Sequence, residues 1–240
     1  MVERRRRLRR LARGLAALLL AWLVLAYFLL PWAWWLIERG RHPELASLPV
    51  RTTNADGIPG GPVNVALIGT RGELIGAMIA AQWYPADPIT LRSSLDIAAS
   101  VLLHRPDPDA PVSPLYLFGR KQDLAFEQDV GGSADHRHHV RWWLTDRTEE
   151  GRPFWLGAAS YDRDSGLSHL TGQITHHIGP DVDAERDRLM AGLAGRGLLE
   201  DQYQIPGMGP TTNAHNAGGD RFYTDGMIDV GVLAAGDSPR

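Results

Sequence analysis

The sequence predicts an α+β domain: two layers, with a mostly antiparallel sheet packed against about three helices, preceded by one transmembrane helix. Three observations predict it. An arginine-rich start leads into twenty-four residues without a charge, Gly14 to Ile37. Beyond them, helical spacing and strand-like alternation occupy separate stretches rather than alternating as in a parallel α/β fold. The charge is also split. Residues 1–41 carry nine Arg against Glu3 and Glu38, a net of +7, and the remaining residues carry sixteen basic and twenty-six acidic groups, a net of −10. Two different environments follow from that asymmetry.

Residues 1–13 form a basic tail and residues 14–37 an anchor helix. At 1.5 Å per residue the uncharged run reaches roughly 36 Å, enough for a hydrocarbon core of about 30 Å. Trp32, Trp34 and Trp35 gather at its far end, where amphipathic rings favour the interface. Seven Arg before the run against two after it predict an N-terminus on the cytoplasmic side and a C-terminal domain outside, in the inner membrane of a bacterial envelope. A cleaved signal peptide is disfavoured, because the run exceeds an h-region and no small-x-small site follows Trp35. The tail is expected to touch anionic lipid heads.

Residues 38–60 are polar and rich in Gly and Pro, which reads as a stalk before a globular domain over 61–235 and a short tail, 236–240. The domain opens with a strand-like run, "VNVALIGT". "TRGELIGAMIAAQW" follows, with Thr70 and Glu73 spaced as a capping box, and "SSLDIAASVLLHR" repeats that spacing with Ser93 and Asp96. From Leu115 to Ile178, "LYLFGRKQDLAFEQ", "HHVRWWLTD", "RPFWLGAASYD" and "LTGQITHHI" read as strands. In "DVDAERDRLMAGLAGRG", Val182, Leu189, Met190 and Leu193 form one apolar stripe, Asp181 stands as N-cap, and Gly195 or Gly197 ends the helix. Asp183 and Glu185 fall in its first turn, and Glu185 and Arg188 are spaced as an exposed i,i+3 pair. "MIDVGVLA" is the last strand.

Several stretches carry a family resemblance. "NVALIGTRGELIGAMIAAQWYPADPITLRSSL", "APVSPLYLFGRKQDLAFEQ", "RHHVRWW", "FWLGAASYDRDSGLS", "THHIGPDVDAERD" and "GGDRFYTDG" occur in that order, and residues 61–233 resemble the LssY C-terminal domain family. In that family the domain commonly follows a multi-span membrane region of the DedA or phosphatidic-acid-phosphatase type, so the resemblance implies a membrane setting. It brings no catalytic residues to carry over. Here a single anchor stands in place of the multi-span region.

Three groups of residues could carry chemistry. If "HRHHVRWW" is a strand, His138, Val140 and Trp142 share one face, and His139, Arg141 and Trp143 share the other. His176 and His177 likewise point apart, so a metal site needs one His from each strand. His138, His176 and Asp162 form such a set, suited to Zn²⁺ or Fe²⁺ with positions left for water. The same pattern also fits interior histidines bonded to backbone or carboxylate. Arg120, the only lysine Lys121, and Arg141 could clamp a phosphate or carboxylate, and equally fit a salt-bridged strand surface. Asp220, Arg221, Tyr223 and Asp225 fit either turn chemistry or a binding rim.

The absence of cysteine excludes disulfides, cysteine nucleophiles and thiolate metal sites. Nucleic acid is excluded as a partner, since the domain carries −10. Gly69, Gly72 and Gly76 do not have dinucleotide-loop spacing. The expected function is therefore that of an anchored envelope protein binding a partner or an anionic envelope molecule. The alternative is a metal-dependent hydrolase acting on a phosphorylated or lipid-linked substrate at the membrane.

Overall fold

In the computed structural model the described residues are 2–25, 29, 48–86, 114–130, 133–167, 174–209 and 211–235. The chain divides into two compact units, Met1–Ala46 and Ser47–Arg240. The first contains helix α1, Val2–Val24, which takes in the arginine run and leaves Leu11, Leu15, Leu18 and Trp22 exposed. Only its last part, Gly14–Val24, is free of charge, roughly 16 Å of helix. Among the described residues no helix is long and apolar enough to cross a membrane, so the expected spanning helix is not borne out there. Residues 26–28 and 30–37 of that span lie outside the described residues, as does the helix expected over 93–105.

In the second unit the eight-stranded sheet runs β11-β14-β3-β9-β8-β7-β4, with β10 also paired to β9. Its centre is β3 (Val65–Ile68), β9 (Arg152–Leu167) and β8 (Ser133–Glu149). β7 (Leu124–Val130) and β4 (Tyr84–Pro85) extend one side, and β14 (Met227–Leu233) and β11 (Leu199–Pro206) the other. β10 is Ile174–Ile178, and β12 (Thr211–His215) and β13 (Arg221–Thr224) pair with each other in a separate ribbon. β3 and β14 pair in parallel, and the other described ladders of this sheet are antiparallel. The α+β expectation holds.

Helices α2 (Arg71–Ala80) and α3 (Val182–Ala194) bury their apolar stripes in one cluster with Val65, Leu67, Phe126, Val140 and Trp142. The cluster accounts for the alternation read in the strands, since every second residue of β8 from Val140 to Trp142 enters it. Gly157 lies where a Cβ would meet the Trp142 ring and Val65 at 2.6 Å, so this crossing admits no side chain. Local signals set both helix starts. Thr70 accepts from Glu73 N while Glu73 reaches back to Thr70 N, a complete capping box, and Asp181 accepts from Ala184 N.

The other side of the sheet is not bare. β1 (Arg51–Thr53), β2 (Pro59–Pro62), β5 (Tyr116–Leu117) and β6 (Arg120–Lys121) form a second sheet of order β2-β1-β5-β6. Trp143 Nε1 of β8 donates to Arg120 O across the gap at 3.3 Å. The two-layer expectation therefore gains a third element, made partly from residues expected in the stalk. Thr52 is fully buried, and its hydroxyl donates to Gly61 O at 3.0 Å. A Gly- and Pro-rich run signals a linker because it has no alternation to read, yet here the backbone itself supplies the ladder.

Candidate functional site

Strand register builds a row of ionisable side chains on the sheet face away from the helices. Across β8 and β9, Arg137 stands opposite Asp162, His139 opposite Ser160 and Arg141 opposite Ala158, and Glu127 of β7 stands opposite His139. Directly opposed residues share a face, so Glu127, Arg137, His139, Arg141, Ser160 and Asp162 form one surface. Apart from Ser160 they are all buried, from 1% exposure at His139 to 7% at Arg141.

A cleft of about 270 Å³ opens over Arg141, Ser160 and Asp162. His176 and Ile178 of β10 form one wall, the β1–β2 turn and Gly60–Pro62 a second, and Asn216–Gly218 a third. The third wall is tied down by Asp220, which accepts from Asn216 Nδ2 at 3.2 Å and from Ile178 N at 3.2 Å while His177 Nδ1 sits 2.7 Å from its other oxygen. Such a space is at the lower end of ligand pockets and fits one small polar molecule.

Within the floor, Arg137 donates to Glu127 at 3.1 Å, a pair in which both side chains are 4% exposed. Asp162 Oδ2 lies 3.5 Å from His139 Nε2 and 3.9 Å from His176 Nδ1. Among the described residues neither ring nitrogen of His139 has a hydrogen-bond partner. Burial holds the His139 imidazole well below the usual histidine range, and the charges of Arg141 and Arg137 push it the same way. Burial raises the Asp162 carboxyl, and Asp220 adds to this, against the opposing charges of Arg141, His176 and Arg137. The floor thus combines a guanidinium that can hold an anion with a carboxyl whose pKa burial raises, and His139 lies beside that carboxyl on the same face.

The structure brings together part of what the sequence suggested. Asp162 and His176 meet in the cleft, but His138 does not join them. It lies on the helix face, 2.7 Å from Glu185 of α3 and beside the Tyr161 ring. His139, its neighbour, takes the place beside Asp162. The expected exposed Glu185–Arg188 pair is also corrected: Glu185 is buried on His138, and Arg188 donates to Gln128. Among the described residues no group of three or more His, Asp or Glu is placed to hold a metal ion.

Of the anion set, only Arg141 lines the cleft. Arg120 is bound to Asp123 at 2.5 Å and to Leu144 O, and Lys121 is exposed on β6. Of the rim set, Asp220 is buried and holds the third wall, while Arg221 is exposed. Tyr223 pairs by backbone with Pro180 and Asp181 at the α3 start, and Asp225 binds Arg186. Sequence reading put His139 on the Arg141 face without giving it a role, and did not single out Ser160. The signal was present in "RHHVR", where 137, 139 and 141 are cationic or imidazole at strand period while 140 is apolar.

Fold and cleft together define an α+β domain whose central antiparallel sheet carries helices on one face and, on the other, a buried charged floor under a small second sheet. The chain belongs to the family described as LssY C-terminus, which matches residues 45–228. No curated protein and no solved structure matches it.

Proposed function

We propose that this protein is a membrane-tethered envelope domain that binds a small anion in the cleft, with its N-terminus on the cytoplasmic side. One observation carries the binding reading: Arg141, 7% exposed, lies in the floor of an open cleft beside Asp162 and His176. Its planar fork suits a carboxylate or phosphate of the size the cleft admits. The tether rests on the uncharged run from Gly14 to Ile37 and the arginines before it.

The binding reading is tested by thermal unfolding of the full chain in detergent against inorganic phosphate, glycerol phosphate and succinate. The expected result is a saturable rise in Tm with at least one of them, abolished in Arg141→Met. No response to any of the three, or an equal response in the variant, overturns it. For the tether, alkaline phosphatase fused after Arg240 is expected to be active in the periplasm; an inactive fusion contradicts the proposed orientation.

A further inference from the structure

We infer that the cleft takes a small polyol anion, one phosphate or carboxylate head with hydroxyls on the neighbouring carbons, and that Asp162 selects it by meeting a hydroxyl while Arg141 holds the head. The inference rests on the anion-binding reading and names its ligand class. Along β9 the cleft face runs Ala158, Ser160, Asp162, in steps of about 6.8 Å. Arg141 stands across from Ala158 at one end of that row, Ser160 lies at its middle and Asp162 at its other end.

The walls use their polar groups on one another. Asn54 Oδ1 accepts from the amides of Asp56 and Ile58, each at 2.9 Å. Asn216 Oδ1 accepts from the amides of Gly218 and Asp220, and its Nδ2 donates to Asp220. Gly60 O and Gly61 O accept from Arg51 Nε and Thr52 Oγ1. Asp162 differs. It is 4% exposed, and its two imidazole neighbours stand at 3.5 and 3.9 Å, too far for hydrogen bonds, so neither histidine completes it. A buried carboxyl left short of its neighbours and lining an open cleft points to a ligand group that meets it.

Electrostatics decide what that group is. Arg141 is the strongest of the cations acting on Asp162, so an ammonium brought to the carboxyl is repelled by the guanidinium. A second carboxylate on the ligand is opposed by Asp162 and by the exposed Asp56, which also lines the cleft. A neutral hydroxyl meets neither objection. It both donates and accepts, so it fits the carboxyl whether ionised or, as burial favours, protonated. One anionic head with hydroxyls beside it therefore matches the row from Arg141 through Ser160 to Asp162. Glycerol phosphate and glycerate are small ligands of that form.

The test is isothermal titration of the full chain in detergent with two pairs of probes, glycerol phosphate against ethyl phosphate and glycerate against propionate. The hydroxylated member is expected to bind at least about tenfold more tightly in one pair or both, the scale of one hydrogen bond to a charged group. In Asp162→Ala that ratio is expected to fall to about threefold or less, with ethyl phosphate and propionate binding kept. Circular dichroism checks folding; should Asp162→Ala not fold, Ser160→Ala decides, with the ratio expected to fall by about threefold. Glycerophosphoglycerol, the diester a lipid headgroup carries, separates the sources: tighter binding than the monoester assigns the class to a headgroup, weaker binding to a free polyol phosphate. Equal binding within both pairs overturns the inference and leaves anion binding intact, and a ratio unchanged in the folded variant does the same. Binding of none of the probes removes the anion reading as well.

Discussion

Replacing Arg186 with Met is expected to lower stability by about 1.5–3 kcal/mol at neutral pH, the scale for losing hydrogen bonds to charged groups, because its closest partners, Asp225 and Asp187, are themselves largely exposed. For a unit of this size that is a fall in Tm of roughly 3–12 °C. The Arg186 side chain is 4% exposed and meets four carboxylates: Asp225 through two nitrogens at 2.7 and 3.1 Å, Asp187 at 2.8 Å, Asp183 at 3.6 Å and Asp229 at 3.9 Å. These charges join α3 to the turn before β14. Without the guanidinium they repel one another, and Asp229, already raised by burial, loses a charge that opposes the rise.

The pH dependence should change sign in this variant. Burial pushes Asp225 up, but the Arg186 bond, the Met227 amide and the Arg186 charge outweigh it and hold the carboxyl below its usual range. A depressed carboxyl contributes stability that is present above its unfolded pKa, about 3.9, and lost as pH falls through the folded value. Around this site the natural chain is therefore expected to weaken in acid below that value. In Arg186→Met the crowded carboxyls take up protons more readily folded than unfolded, so stability should rise as pH is lowered from 7 towards 5. Urea denaturation at both pH values checks it; two chains with parallel pH profiles would refute the cage reading. Arg186→Lys keeps the charge but loses the fork, and should fall between them.

The second large effect is expected at Arg137. Its pair with Glu127 lies between β7 and β8 under the cleft, with both side chains 4% exposed. Arg137→Met leaves the Glu127 carboxylate buried without this cation, at a cost of about 3–5 kcal/mol. The double variant Arg137→Met, Glu127→Met is expected to recover most of that loss, because replacing a buried pair with apolar residues of similar volume is often neutral. A double-mutant cycle by urea denaturation gives the coupling directly. If the single variant falls within about 1 kcal/mol of the natural chain, or the double is no better than the single, the pair is not the element that secures the floor.

How much of this could be read in advance depended on range along the chain. Thr70 and Glu73 are three residues apart and form the capping box their spacing announced. Asp181 caps α3, and Val182, Leu189, Met190 and Leu193 are all buried. The parity of β8 was legible as well: Val140 and Trp142 enter the helix-side core while His139 and Arg141 lie on the other face. By contrast, β1 and β2 escaped notice because their Gly and Pro residues carry no hydrophobic period. Nor does "THHIGPDVDAERD" reveal that its Glu185 is the buried partner of His138 rather than a surface residue.

The sequence by itself determined the helix caps, the apolar stripes, the face on which each residue of β8 lies, and the family. Each of these is written within a few consecutive residues by hydrogen-bond reach or by a period of 2 or 3.6. Only the tertiary structure decided which carboxylate meets which histidine. Asp162 and His139 are twenty-three positions apart, and they meet because β8 and β9 pair in one register. His176 reaches the same oxygen from a third strand, whose pairing with β9 shifts between His177 and Ile178. Register of that kind is fixed by the packing of the whole sheet, and no local spacing encodes it.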